Sequence, residues 1–342
     1  MDGLRRCVPL PSDLLRKEFL PVDGQVEGLW QIDTRHCIAA LLLLMHLFGN
    51  SAGQRGQILG LWWSDLTVLN ASPANPEVIS SADMSSHNSI VTSMRRCLLA
   101  LKGEYMSQDG LSVNYAEMKS SHKFEQYVAT ASMLKQLDVT ALSENERKAF
   151  FINIYNSLIV HALVEGFVKA GDGFTKRLKM YATAAYNIGG HTYSLNDIEN
   201  GVLRGNRRSA TPLSSIPFSN DDPRLSATVP LDPRIHFALN CGAKSCPPIA
   251  VYSPDKIDSQ LDRAVQGALR DCTVNSKERS VMVSMLFKWY AEDFGTSDRA
   301  IMQWVAARAP ADLRQAIQPL LEGQGAPRAV LKYHPYNWDI NT

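Results

Sequence analysis

Charge of either sign is not in excess: 35 Lys and Arg stand against 34 Asp and Glu, a formal net charge of +1 at pH 7. A chain so balanced has no bulk field to steer it toward nucleic acid or an anionic membrane, and neither is expected as a partner. Long apolar runs are missing too. The most apolar stretch, Cys37–Phe48, is broken by His46 and falls short of the roughly 20 residues that cross a bilayer. A buried helix is the expectation there. The opening Met1-Asp2-Gly3-Leu4-Arg5-Arg6 carries no apolar signal-peptide core, so a soluble, cytoplasmic chain is expected. Cysteine is sparse, six in 342 residues, and Cys7, Cys37, Cys97 and Cys272 stand singly. That excludes a dense disulfide framework and suits a reducing compartment. Four common signatures are also absent: Gly-x-x-x-x-Gly-Lys-Ser/Thr, Gly-x-Gly-x-x-Gly after a strand, His-Glu-x-x-His and Gly-x-Ser-x-Gly. Nucleotide-binding, zinc-protease and serine-hydrolase classes lose support, and no cofactor is expected.

What is present divides at about residue 85. Residues 1–85 read as an N-terminal region of unknown role, partly helical at about 34–48, with an apolar stretch at Ile58–Trp63 and a loop near 70–86. Residues 86–342 read as one further domain. It begins with an amphipathic helix at about 88–105, where Ile90, Val91, Met94, Leu98 and Leu101 form one stripe. A second helix is expected at about 121–136. A third, at 144–169, opens on Ser143 with Glu146 placed for a capping box. Its middle is apolar nearly all round, which implies burial on most faces. A basic helix at about 174–185, containing the cluster Lys176–Lys179, reads as a solvated face. A hairpin turning on Gly189-Gly190 follows, then a helix opened by Ser194 and Asp197. Residues 205–231 read as a surface loop and Arg234–Leu239 as a short strand. Ser253 is expected to cap a helix with Pro254 in its first turn. Val281 begins a strand-like segment, helices fill about 296–323, and Val330–Asp339 reads as a terminal strand. Helices outnumber short, dispersed strands, so the fold class expected is α+β: a helix-rich domain around a small mixed or antiparallel sheet.

Polar and aromatic residues gather in apolar contexts at Asn153/Asn156/His161, at His236/Asn240/Cys241/Cys246 and at His334/Tyr336/Trp338/Asp339. Buried unpaired, such groups cost a few kcal/mol each, so they need partners. One shared site supplies them; a structural hydrogen-bond network does so equally. A thiol–imidazole reading makes His236 a general base, Cys241 or Cys246 a nucleophile and Asn153 or Asn156 the orienting partner. Backbone N–H groups at Gly242 and Ala243 are then candidate oxyanion donors, with Lys244 adding positive charge. Asn240, Ser245, His161, Glu199 and Arg204 complete the candidate binding residues. The bland readings are buried structural cysteines and mid-helix asparagines that clamp backbone. The Cys241-x-x-x-x-Cys246 spacing also allows a small-loop disulfide, which only geometry decides. Metal binding has little support, because no second cysteine pair is visible.

Five segments in order resemble the domain-of-unknown-function 547 family: Lys148–Asn156, Tyr193–Arg204, Asp232–Pro248, Phe287–Phe294 and Tyr336–Asn341. The resemblance covers about residues 90–341. It implies no established reaction, only a suspected fold-level relationship to papain-like or transglutaminase-like cysteine enzymes. Those enzymes place the cysteine on an early helix ahead of the histidine, where this chain has Asn153 and Asn156. Two functions are therefore carried forward. One is a thiol-dependent hydrolase or acyl-transferase acting on an amide or ester. The other is a non-catalytic scaffold domain that binds a protein or peptide partner, with the same residues forming a buried polar network.

Overall fold

A computed structural model describes residues 66–71, 87–210, 214–322 and 328–342. The expected helix at 34–48 and the apolar stretch Ile58–Trp63 lie outside the described residues. The strand β1 (Thr67–Val68) precedes helices α1 (His87–Tyr105), α2 (Tyr115–Lys119) and α3 (His122–Ser132). Next come α4 (Glu144–Val164) and α5 (Phe174–Thr183), the strands β2 (Ala184–Ile188) and β3 (His191–Ser194), and a π-helical turn at Asp197–Leu203. The remaining elements are α6 (Ile257–Ala268), β4 (Thr273–Asn275), β5 (Ser280–Val283), α7 (Leu286–Trp289), α8 (Ala291–Phe294), α9 (Asp298–Arg308), α10 (Ala311–Leu321) and β6 (Val330–Tyr333).

The strands form two small mixed sheets, which makes the fold α+β. In the first, β1 runs parallel to β2, and β2 pairs antiparallel with β3 so that Ile188 faces His191 across the Gly189-Gly190 turn. In the second, β5 sits between antiparallel β4 and parallel β6. Residues 66–71 are tied into the first sheet by Asn70, 1% exposed. Its amide donates to Ala131 O (2.9 Å) and Asn187 O (2.8 Å) and accepts from Asn187 N–H (2.8 Å).

Helix α4 is the axis of the larger core. Ser143 and Glu146 close the capping box at its start, and every residue from Lys148 to Val164 is buried. It ends five residues earlier than its periodicity predicts, where Phe167 N–H turns back to Ala162 O at 3.0 Å. A second core gathers Phe237, Val265, Phe287, Phe294, Met302 and Val305. Ile235 and Ala238 belong to the first core and Phe237 to the second, so this short segment is the seam between them.

That seam is not the expected strand. Pro233–Phe237 is a 3-10 helix, because Asp232 accepts a hydrogen bond from Arg234 N–H and Pro233 presets φ in the first turn. The terminal strand is also shorter than expected, ending at Tyr333, and residues 205–231 include a 3-10 turn at Pro223–Ala227.

His161, 3% exposed near the end of α4, pairs through Nδ1 with the Tyr186 hydroxyl at 2.8 Å, and that hydroxyl meets the Tyr127 hydroxyl. The chain is satisfied when Nδ1 carries no proton. Burial, with Lys119 adding to it, lowers the His161 pKa from 6.5 to about 4. The imidazole is therefore neutral in the fold but accepts a proton once unfolded, so its contribution is full above pH 6.5 and is lost as pH falls toward 4. The loss expected between pH 7 and pH 4 is roughly 3 kcal/mol. Urea unfolding at both pH values should show a shallower loss in His161→Gln than in the wild type; equal slopes would refute the assignment.

Candidate functional site

Two asparagine clamps place the site. Both project from α4, and both satisfy backbone. Asn153 donates to Tyr252 O and accepts from Tyr252 N–H, each at 2.8 Å. Asn156, fully buried, donates to Ala238 O (3.0 Å) and accepts from Asn240 N–H (2.8 Å). Each carboxamide thus supplies what a neighbouring strand would supply. Neither orients a histidine, the role proposed for them from the sequence. Asn240 continues the hold by donating to Pro247 O (2.6 Å) and accepting from Gly242 N–H (2.7 Å). Gly242 has φ +75°, a conformation in which any L side chain is strained, and a Cβ there would lie 2.3 Å from Leu163 Cδ1 and displace it from α4.

The loop so fixed carries a Cys241–Cys246 disulfide, with Cα atoms 6.2 Å apart. Cys246 Sγ accepts Cys241 N–H at 3.0 Å, and the Tyr336 hydroxyl lies 3.1 Å from Cys246 Sγ and 3.3 Å from Cys241 Sγ. Burial pushes the Tyr336 phenol well above its ordinary pKa, so it stays a donor. Trp289, Tyr336 and Trp338 pack against one another in tilted and edge-on contacts, with ring centroids 4.6–5.3 Å apart. The C-terminal tail is strapped over the loop. Lys244 N–H donates to Asp339 O (2.9 Å), Ser245 N–H to Asn337 O (3.2 Å), Asn337 N–H to Ser245 Oγ (2.8 Å) and Asn341 N–H to Gly242 O (3.1 Å). Arg177 on α5 holds both segments, donating from Nη1 to Cys241 O (3.0 Å) and from Nη2 to Trp338 O (2.5 Å).

A second cluster centres on Asp293. Its carboxylate receives both nitrogens of a bidentate Arg204 (2.7 and 2.9 Å), meets His236 Nε2 at 2.7 Å, and has Arg207 at 3.6 Å. Burial alone would raise the Asp293 pKa, but the hydrogen bonds from His236 and Arg204 outweigh it and hold the value at about 2. His236 goes the other way. Burial lowers its pKa against the pull of Asp293, so Arg204 carries the countercharge and a neutral His236 donates Nε2–H. The imidazole stacks on Tyr290 at 3.8 Å. Tyr290 and Tyr155 donate to the two oxygens of Glu199, at 2.5 and 3.0 Å. Glu199 and Arg204 reach these partners from the π-helical turn, whose widened i→i−5 bond (Arg204 N–H to Glu199 O, 2.9 Å) sets their spacing. Gly201 leaves room in that turn for the Phe218 ring, which a Cβ there would displace.

The structure therefore joins Cys241 with Cys246, Asn156 with Asn240, and His236 with Arg204 and Glu199 through Asp293 and Tyr290. His161 belongs to the separate Tyr127–Tyr186 chain, and Lys244 is exposed, 3.8 Å from Asp339. The expected contact of a cysteine thiol with His236 gives way to a bond between the two sulfurs and to the His236–Asp293 pair. Among residues not singled out from the sequence are Asp293, Tyr290, Tyr155, Arg177 and Tyr181, whose hydroxyl donates to Cys241 O at 3.5 Å. Asp293 and Tyr290 lie inside the Phe287–Phe294 segment; Arg177 was hidden in a basic cluster read as solvated. Among the described residues, no group of three or more His, Cys, Asp or Glu is arranged to hold a metal ion. Also among the described residues, no helix is long and apolar enough to cross a membrane.

Residues 139–267 match a family model described as "Protein of unknown function, DUF547". No curated protein and no solved structure matches the chain. The matched span contains both asparagine clamps, the π-helical turn, His236 and the cysteine loop, whereas Asp293, Tyr290 and Tyr336 lie beyond it.

Asp293 holds Arg204 and His236 with no exposed side-chain surface of its own. Removing one partner of such a buried pair leaves an uncompensated charge. Asp293→Ala is expected to destabilise the domain by about 3–5 kcal/mol, read from denaturant unfolding. A loss under about 1 kcal/mol would mark the pair as solvent-screened.

Proposed function

From a segment, residues 139–267, that carries a DUF547 domain with no assigned reaction, we propose that the 241–246 loop is a thiol–disulfide exchange site acting on protein or peptide disulfides and dithiols. The observation that carries this reading is the unequal surroundings of the two bonded sulfurs. Cys241 is half-buried, whereas Cys246 is buried and alone has a backbone donor, the Cys241 N–H, at its Sγ; the Tyr336 hydroxyl is within reach of both sulfurs. The sulfur to be attacked must be reachable, and the sulfur that leaves is best the one with donors for its charge.

A thiolate of a substrate dithiol attacks Cys241 Sγ. The Cys241–Cys246 bond breaks, and its electron pair goes to Cys246 Sγ. The substrate's second thiolate then attacks its own sulfur in the mixed disulfide. That step releases Cys241 as a thiolate and the substrate as a disulfide. Two electrons have passed to the protein, and the protons of the dithiol are shared between solvent and the reduced cysteines. The reverse sequence reduces a substrate disulfide.

The thiol-dependent hydrolase or acyl-transferase has less in its favour. His236 is 3% exposed with Nε2 engaged, Asn153 and Asn156 are committed to backbone, and Gly242 N–H donates to Asn240. A scaffold function draws support from the same saturated hydrogen bonds, and makes the disulfide an inert staple.

The test is reduction of a disulfide-bonded peptide by excess dithiothreitol, with and without the protein. Wild type should accelerate it, Cys241→Ala should not, and Cys246→Ala should accumulate a mixed disulfide on Cys241, detectable by intact mass. No acceleration, with a disulfide inert to the reductant in the folded protein, sinks the exchange reading in favour of the scaffold. Ester or amide turnover that needs prior reduction and is lost in His236→Ala sinks it in favour of the hydrolase.

A further inference from the structure

Arg177 is the largest of the fully buried side chains, at 1% exposure, yet no carboxylate among the described residues forms an ion pair with it. Its two Nη atoms are taken by the carbonyls of Cys241 and Trp338, and its Nε is buried with no hydrogen-bond partner. The phenols around it, Tyr115, Tyr181 and Tyr336, are held protonated by burial and bring it no negative charge. Glu199, which also faces Tyr181 and Tyr336, has its two oxygens on Tyr155 and Tyr290. Lys244 and Asp339 lie on the outer side of the loop, exposed and opposite each other. A buried guanidinium without a counterion is costly, and it is not relieved by deprotonation. Of the groups near it, the one that acquires negative charge when its chemistry runs is the cysteine pair.

We infer that Arg177 is the countercharge of the reduced loop: it holds one of the two sulfurs released on cleavage of Cys241–Cys246 as a thiolate at neutral pH. Arg177 is then a positioning residue that sets how oxidising the disulfide is. The inference rests on the exchange reading, since it treats the disulfide as a bond that opens. A thiolate favoured in this way makes the reduced form more stable and the disulfide more readily reduced.

The count of protons taken up per disulfide tests it. Reduction to two thiols takes up two protons; reduction to one thiol and one thiolate takes up one. Cys272, whose thiol burial pushes up to about 12, stays protonated throughout and adds nothing to the count. The wild type, titrated against glutathione redox buffers between pH 6 and pH 8, should take up one proton per disulfide at pH 7. Arg177→Gln should take up two, and its disulfide should resist reduction about tenfold more for each unit by which the thiolate pKa rises toward the working pH. Arg177→Lys should keep the wild-type count. Two protons in the wild type, or one in a folded Arg177→Gln, overturns the inference. Should Arg177→Gln fail to fold, Arg177→Lys and Tyr336→Phe decide. A count of one in both assigns the effect to the charge; a count of two in Tyr336→Phe alone assigns it to the phenol and overturns the inference. The count is also obtained on chemically reduced protein, so a loop that forms a thiolate but exchanges with no substrate refutes the exchange reading and leaves this one standing.

Discussion

The carboxamide of Asn156 sits in the middle of a helix with no solvent face, and the position of the 232–248 segment depends on how that carboxamide is satisfied. Left unpaired at such a depth, its donor and acceptor would each forfeit 1–3 kcal/mol or so. The chain answers by bringing the backbone of Ala238 and Asn240 to it, donor to acceptor and acceptor to donor. One turn away, Asn153 does the same for Tyr252. The two clamps fix entry to and exit from the cysteine loop on one rigid helix. Asn240 and Gly242 then have little freedom, because the first is bonded at both ends of its side chain and the second lies against Leu163. A loop held at so many points has its backbone fixed on both sides of the two sulfurs.

Charge in this region is handled in two opposite ways. Around Asp293 it is balanced: one carboxylate takes the Arg204 fork and the neutral His236, and Arg207 approaches from the outside. Such a cluster lends geometry to its members but leaves none of them short of a partner, which is why His236 reads as a fixed element of the seam rather than a base awaiting a proton. Around Arg177, among the described residues, no carboxylate forms an ion pair, and its partners are the carbonyls of Cys241 and Trp338 beside neutral phenols. Tyr290 belongs to the first cluster, through Glu199 and the face of His236, and Tyr336 to the second, through the two sulfurs.

Local features were legible from sequence and non-local ones were not. The Ser143–Glu146 capping box, the Gly189-Gly190 hairpin and the stripe of α1 all rest on contacts within a few residues, and each stands in the structure as the pattern implied. Arg234–Leu239 misled because its alternation fits a strand, while the Asp232 cap and Pro233 favour a tight helical turn. The cysteine spacing allowed bond, thiol or ligand, and three-dimensional geometry had to choose. Asp293 lies 57 residues from His236, and nothing in the spacing of either announces the other. Arg177 is the hardest case: on a short basic helix, one guanidinium that turns inward cannot be told from its solvated neighbours by sequence alone.

The span of the family match sharpens what belongs to the site. Residues 139–267 contain His236 and Arg204 but not Asp293, and contain both sulfurs but not Tyr336. Cut at residue 267, the matched segment would hold a buried arginine and a buried imidazole with nothing to bridge them, and a disulfide open on the side that Tyr336 covers. Neither arrangement is stable in an apolar interior. Asp293 comes from beside the second core and meets the seam at His236, whereas Tyr336 comes from the tail, which lies directly on the cysteine loop. The 3-10 turn there does more than connect. It aims Phe237 into one core and Ile235 into the other, and leaves His236 between them to meet Asp293. The site and the junction of the two cores are one feature, so the chemistry of the loop cannot be separated from the packing that closes it.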